Sequence, residues 1–238
     1  VLFKFLTKPL YVDVFTNHQR AFKDYKIDKA SKFLPNWWKK TEKNFKIDNS
    51  LAPGLTLKTC AGLINNYKTG IIVPLWTDLL IQQKFISEDS YQINWEAADK
   101  QTSISSHSAK QWNTYLNPKD YFHLKIDTPW AIKTKKLFQW YMTSPYWNLN
   151  PFKLSVSSGI LDFYNIHMVN INLFFPSQKD PIFISQNTPI SHLIPLTNKK
   201  IKLVYHLVDD QEFKKYENIR SRFVNDFLSK ATKCPFNK

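Results

Sequence analysis

Glycine is nearly missing from this chain. It occurs 4 times in 238 residues, where ordinary usage of ~7% would give roughly 17. The four are Gly54, Gly62, Gly70 and Gly159, no two closer than eight positions. A G-x-G-x-x-G dinucleotide fingerprint, a P-loop and a G-x-S-x-G nucleophile elbow are therefore all absent. Each needs glycine where the backbone takes positive φ or closely approaches a phosphate. Several large enzyme classes are excluded on this ground alone.

Cysteine is almost as scarce. Cys60 and Cys234 stand 174 positions apart, which leaves no C-x-x-C and no four-cysteine zinc site. Two cysteines do not make a disulfide scaffold, and their low number fits a reducing compartment. The six histidines are His18, His107, His123, His167, His192 and His206, and the nearest pair is fourteen apart. H-E-x-x-H, H-x-H and H-x-D are missing, so a metal site would have to be assembled from distant strands.

Arginine is the third shortage. The net charge is +14, yet lysine supplies all positive charges except Arg20, Arg220 and Arg222. A basic excess points to an anionic partner. Base-reading and bidentate phosphate sites favour arginine, however. Abundant Lys, Asn, Ile, Phe and Tyr beside scarce Gly and Arg is also the signature of an AT-rich genome, so weak, non-specific nucleic-acid binding is the most this charge implies. Long apolar runs are lacking too. Gly70–Trp76 is followed within two residues by Asp78, far short of the ~20 residues that span a membrane, and no membrane partner is expected. Val1–Leu6 is too short for a signal-peptide core.

What remains is rich in strand signals. Leu2–Leu6, Tyr11–Phe15, Ile71–Trp76, Asp78–Ile86 and Tyr91–Trp95 are apolar or β-branched runs. The whole stretch 55–99 reads as strands. Residues 121–127 alternate, with Phe122, Leu124 and Ile126 on one face and Tyr121, His123, Lys125 and Asp127 on the other. Trp130–Lys133 and Leu137–Met142 suggest a hairpin. Gly159–Phe175 suggests two strands with a bend near Tyr164–Ile166. Pro181–Ser185, Ile190–Leu196 and Ile201–Val208 complete the series. Phe213, Tyr216, Arg220, Phe223, Val224, Phe227 and Leu228 recur at helical spacing, and Asp209 with Glu212 forms an N-terminal cap pair. The expected fold is a mainly β single domain over 1–238: an antiparallel β-sandwich or jelly-roll-like barrel with a C-terminal helix at about 210–232 packed on the sheet. Residues 16–50 form a basic, aromatic loop region. Its Trp37-Trp38 pair could stack on bases, but pinning the loop by aromatic burial is the stronger reading.

Three groups could carry chemistry. His107 and Gln111, followed by His123, Lys125 and Trp130, could line a ligand pocket for a small anion or carboxylate, with Trp112 or Trp130 as a wall. The opposing reading is the solvated face of an edge strand. Asp162, His167, His192 and His206 could form a His/carboxylate iron site in a jelly-roll pocket. Cys60 lies in no nucleophile pattern, and a buried, inert thiol is expected. No cofactor is specified by these residues.

An ordered set of short motifs then carries a resemblance. It runs from Phe33-Leu34-Pro35-Asn36-Trp37-Trp38-Lys39 through Leu57–Gly62 and Ile72-Val73-Pro74-Leu75-Trp76-Thr77-Asp78. It continues at His107 with Gln111, Lys125 with Pro129-Trp130 and Thr134, Gly159-Ile160, Thr188-Pro189-Ile190 and Ile194-Pro195-Leu196. Over roughly residues 30–200 the chain resembles an uncharacterised family of marine cyanobacterial tailed phages with some bacterial relatives. It departs at Gln186-Asn187, where such relatives carry glycine before Thr-Pro. The resemblance implies a viral origin and a place in the host cytoplasm or the virion, and it brings no mechanism. The expected function is a non-catalytic binding or virion-associated protein whose partners are other phage or host proteins or a small anionic ligand. The alternatives are a cupin-like metal-dependent oxygenase drawing ligands from His107, His123, His167, His192 and His206, and a nucleic-acid-binding module using Trp37, Trp38 and the lysines.

Overall fold

The computed structural model describes residues 8–48, 50–87, 90–106, 119–136, 138–149 and 154–217. The chain is mainly β. Its strands are β1 (Leu10–Thr16), β2 (Asp28–Lys29), β3 (Asn44–Phe45), β4 (Gly54–Leu55), β5 (Ile71–Pro74), β6 (Leu79–Ser87), β7 (Ser90–Ala97) and β8 (Ser103–Ser106). They continue with β9 (Tyr121–Thr134), β10 (Trp140–Thr143), β11 (Ser155–Val156), β12 (Gly159–Leu161), β13 (Met168–Pro176), β14 (Ile182–Ile184), β15 (Pro189–Pro195) and β16 (Ile201–Leu207). Helices α1 (Gln19–Asp24), α2 (Asn36–Lys40), α3 (Ala61–Lys68) and α4 (Tyr146–Leu149) sit between strands. A C-terminal helix, α5, begins at residue 210 and is described to 217.

Among the described residues the main sheet runs β11-β13-β9-β1-β16, with β8 beside the first half of β9. A second sheet runs β12-β10-β15-β5-β2, and β14-β6-β7 forms a third. One buried cluster joins all three. Val12 and Val14 of β1, Leu124 and Ile126 of β9 and Ile171 and Leu173 of β13 meet Trp140 of β10, Leu193 of β15, Leu79 of β6 and Ile184 of β14. The layers make a sandwich, with no closed barrel among the described residues.

The patterns explain the elements. In β13 Val169, Ile171, Leu173 and Phe175 are buried while the residues between them are half-exposed, the period of two of a strand with one core face. In β5 every residue is buried. Ile71 and Val73 enter the main core, and Ile72 lies under a second apolar layer of Ala30, Phe33, Leu34, Tyr67 and Trp147. A strand covered on both faces reads as a continuous apolar run. At the turn before β15, Asn187 takes φ 66°, a conformation asparagine tolerates.

Several expectations change. Residues 55–68 are not strand after Leu55: Thr56 caps a 3-10 turn at Leu57–Thr59, and α3 follows. Leu63 and Tyr67 stand four apart, which gives this short helix an apolar stripe. Trp130–Lys133 does not open a hairpin. It continues β9, while β10 crosses to the second sheet. The edge strand β16 runs parallel to its neighbour β1 over seven residue pairs, the one parallel pairing in an otherwise antiparallel set among the described residues. Residues 16–50 hold α1, β2, a 3-10 turn, α2 and β3 rather than one loop. Cys60 is exposed, not buried, at the start of α3.

Other expectations hold. The Asp209 carboxylate accepts the Glu212 N–H at 2.8 Å, capping α5. Phe213 and Tyr216 then pack on Phe15, Ala131 and Met168 of the sheet's outer face. The Trp37-Trp38 pair pins its segment: Trp38 is buried, Trp37 stacks on Trp147 at 4.9 Å, and Trp38 meets the same ring edge-on at 5.3 Å. Leu2–Leu6, Leu137, residues 107–118 and the helix beyond 217 lie outside the described residues.

Candidate anion-binding site

The expected pocket residues do not assemble among the described residues. Alternation in β9 sets His123 and Lys125 on the outer face of the main sheet and Trp130 on the inner one. Trp130 is fully buried in the main core and walls no outer pocket. The Lys125 ammonium donates to Asp127 on its own strand, and Ser103 donates to the same carboxylate at 3.2 Å. That lysine's charge is neutralised locally. His123 is buried beside the Phe174 ring at 5.2 Å. His107 and Gln111, with Trp112, lie outside the described residues.

The proposed metal ligands are equally separate. Asp162 accepts the Tyr164 N–H and the Asn165 amide. His167 Nδ1–H donates to the carbonyls of Phe163 at 3.1 Å and Ile132 at 3.2 Å. His192 Nε2–H donates to the Thr69 carbonyl at 2.8 Å. His206 Nε2 meets Asp13 at 3.0 Å while its ring stacks on Phe15. Burial lowers the proton affinity of His167 and His192, against the opposing pull of their carbonyl partners. Both rings serve as neutral donors that tie strands to loops. No group of three histidine, cysteine or carboxylate side chains is placed to hold a metal among the described residues.

A concavity of about 260 Å³ opens beside α5, lined in part by Asn17, His18, Gln101, Asp127, Asp210 and Glu217. Its polar groups serve the fold. His18 Nδ1 accepts the Ala21 N–H as the cap of α1, and its Nε2 pairs with Asp99. Asn17 donates to Asp210 at 2.9 Å, and Asp127 is held by Lys125 and Ser103.

A larger concavity, about 610 Å³, lies where β2, α3, β15 and β16 end or begin. Lys29, the last residue of β2, and Lys68, the last of α3, line one side. Lys199 and Lys200, in the turn before β16, line the other. Thr69, Gly70, Thr197 and Asn198 complete the polar lining, and no carboxylate takes part. The nearest acid in sequence, Asp28, is occupied by the Lys32 ammonium and the Lys29 N–H.

The floor is rigid for identifiable reasons. Gly70 takes φ +83°, and a Cβ there would lie 2.3 Å from the Leu193 carbonyl oxygen and 3.0 Å from His192 Nε2. Its own carbonyl accepts the Ala30 N–H at 3.1 Å. The buried His192 ring holds the Thr69 carbonyl beside it. On the far side the Leu10 N–H binds the Lys200 carbonyl at 2.8 Å. The turn Thr197–Lys200 is closed by the Lys199 N–H on Thr197 Oγ1. Exposed lysine side chains therefore stand on a fixed backbone rim.

Sequence reasoning missed this site because its lysines are scattered over positions 29, 68, 199 and 200. Only the pairing of Lys29 with Ile71, and of β15 with β5, brings them to one end of the second sheet. The Lys199-Lys200 doublet was the one local signal.

No family model matches the chain, and no curated protein sequence matches it.

Proposed function

We propose that this chain is a non-catalytic binding protein that holds a small, multiply anionic ligand, such as one bearing two or three phosphates, in the four-lysine concavity. The observation that carries this reading is the convergence of Lys29, Lys68, Lys199 and Lys200 on one recess with no carboxylate in its lining. Cations of one sign lining a single recess raise its local positive potential, which attracts an anion. A volume of about 610 Å³ lies within the ordinary range of small-ligand sites. The polar lining supplies ammonium groups, two threonines and an asparagine, which suit charge neutralisation and orientation. The motif resemblance agrees with a phage-encoded origin, and an anion-binding component acting in the host or the virion is consistent with it.

The test is calorimetric titration with tripolyphosphate at low salt, with wild-type protein and with Lys68→Glu and Lys200→Glu. Saturable binding at one site, weakened at least about tenfold by either charge reversal and by raising salt, supports the reading. Binding that ignores both substitutions refutes it. Tighter, equally sensitive binding of a single-stranded oligonucleotide, with a log–log salt slope near about −3 for four neutralised phosphates, would transfer the site to a nucleic-acid backbone.

A further inference from the structure

The ribbon formed by β3 and β4 stands apart from the sandwich. Asn44 pairs with Leu55 and Phe45 with Gly54, and among the described residues no other strand extends this pair. The Phe45 ring covers Gly54 so closely that a Cβ there would lie 2.3 Å from a ring carbon. The Thr56 N–H binds the Lys43 carbonyl at 2.9 Å and closes the base. Yet the ribbon and its flanks bury little. Leu51, at its tip, is 108% exposed, Leu55 68%, and Phe45 and Leu57 53% each, while Ile47 is exposed as well.

Five large apolar side chains on one short protrusion are more than scattered surface hydrophobics. Their surroundings are basic. Between residues 36 and 58 stand Lys39, Lys40, Lys43, Lys46 and Lys58 against Glu42 and Asp48, and the first four lysines are exposed. Lys58 instead donates to the Lys39 carbonyl at 3.1 Å, bracing the base of the ribbon.

We infer that this ribbon is an interfacial membrane anchor, which inserts Leu51 and its apolar neighbours below the headgroups of an anionic lipid surface while the surrounding lysines bind those headgroups. Ile47 and Leu51 lie in the loop between β3 and β4, with Lys43 at the ribbon's base and Lys46 at the start of the loop, a mix of apolar and cationic groups that suits such a surface. Phe45, Ile47 and Leu51 line one open, shallow concavity of about 400 Å³ together with Lys46, so apolar groups and a cation share one face of the ribbon. A second copy of this chain is disfavoured by charge, since each copy is strongly basic and brings the same lysines to the contact. No membrane-spanning segment is needed for this mode of binding, and no helix among the described residues is long and apolar enough to span. The inference stands apart from the four-lysine recess, which uses different residues.

Vesicle flotation tests it, with phosphatidylcholine alone and with phosphatidylcholine containing 30% phosphatidylserine, a fraction chosen at roughly the anionic content of a cytoplasmic leaflet. Wild-type protein should float with the anionic vesicles and stay behind with the neutral ones. Leu51→Glu should weaken partitioning by about tenfold to a hundredfold, from the lost burial of one leucine. Its fold should be unchanged, because Leu51 touches no core. Lys43→Glu with Lys46→Glu should weaken binding in a salt-dependent way. Lys179→Glu, an exposed position between β13 and β14 outside both the ribbon and the recess, should leave it nearly unchanged. The inference is overturned if wild-type protein ignores anionic vesicles, or if Leu51→Glu binds them as well as wild type. It is also overturned if Leu51→Glu abolishes a concentration-dependent dimer, or binding to an acidic polypeptide, while leaving vesicle binding intact.

Discussion

Gly70 packs its α-carbon against the Leu193 carbonyl oxygen, and its φ of +83° leaves only 2.3 Å for any β-carbon. The contact joins the entry to β5 to the strand beside it and sets one wall of the lysine recess. Gly70→Ala should therefore destabilise the protein by at least about 2 kcal/mol, from the left-handed backbone alone and more from the steric conflict. It should also weaken anion binding in the fraction that folds. Urea denaturation checks the first effect, and unchanged stability would mean that the turn can relax without cost.

The aromatic layer over β5 gives a graded pair. Trp38 is buried between Tyr67 and Trp147, while Trp37 is 43% exposed and stacks on Trp147 through one face. Trp38→Ala should cost about 3–5 kcal/mol, and Trp37→Ala about 2 kcal/mol, the worth of its stack on Trp147 and its edge contact with Trp38 at 5.8 Å. Thermal melts of the two variants decide it. Equal losses would contradict the pinning role assigned to Trp38.

Part of this architecture was legible in the sequence. Strand alternation located the inner face of β9 at Phe122, Leu124 and Ile126, because one face of that strand meets the core and the other does not. The Asp209 cap of α5 was legible too, because Asp209 with Glu212 is a local helix-start pair. Alternation could not show which polar groups the fold itself uses. Residues 121–127 looked like a strand with a polar functional face, yet Asp127 neutralises Lys125 across two positions of one strand. Alternation also could not tell that β9 runs on through Pro129 into Trp130. The recess depends on four lysines separated by up to 171 positions, and only the register of the second sheet brings them together.

Stability should fall as the solution is acidified through the range where free histidines titrate. In the unfolded chain His167 and His192 take up protons near about pH 6.5. In the folded protein burial lowers the affinity of both rings for that proton. The unfolded state then binds more protons, so stability is full above that range and is lost as pH drops below it, by up to about 1.4 kcal/mol per pH unit per histidine. Denaturation midpoints between pH 7.5 and 5, in wild type and in His192→Gln, measure this. An unchanged slope in the variant would contradict the role given to His192.

Phe213 anchors the first turn of α5 against Phe15 and Ala131, and only 4% of it is exposed. Phe213→Ala should cost about 3 kcal/mol through lost burial and a cavity. Wild-type stability in this variant, followed by urea unfolding, would show that the helix does not contribute its docking energy to the sandwich.

The central claim is that Lys29, Lys68, Lys199 and Lys200 act together on one anion. Lysine acetylation footprinting with mass-spectrometric readout, with and without tripolyphosphate, tests it at residue resolution. The four recess lysines should be protected together by the ligand, while Lys133 and Lys179, exposed elsewhere on the surface, should react equally in both samples. Protection spread evenly over all exposed lysines, or confined to residues outside the recess, would contradict the account.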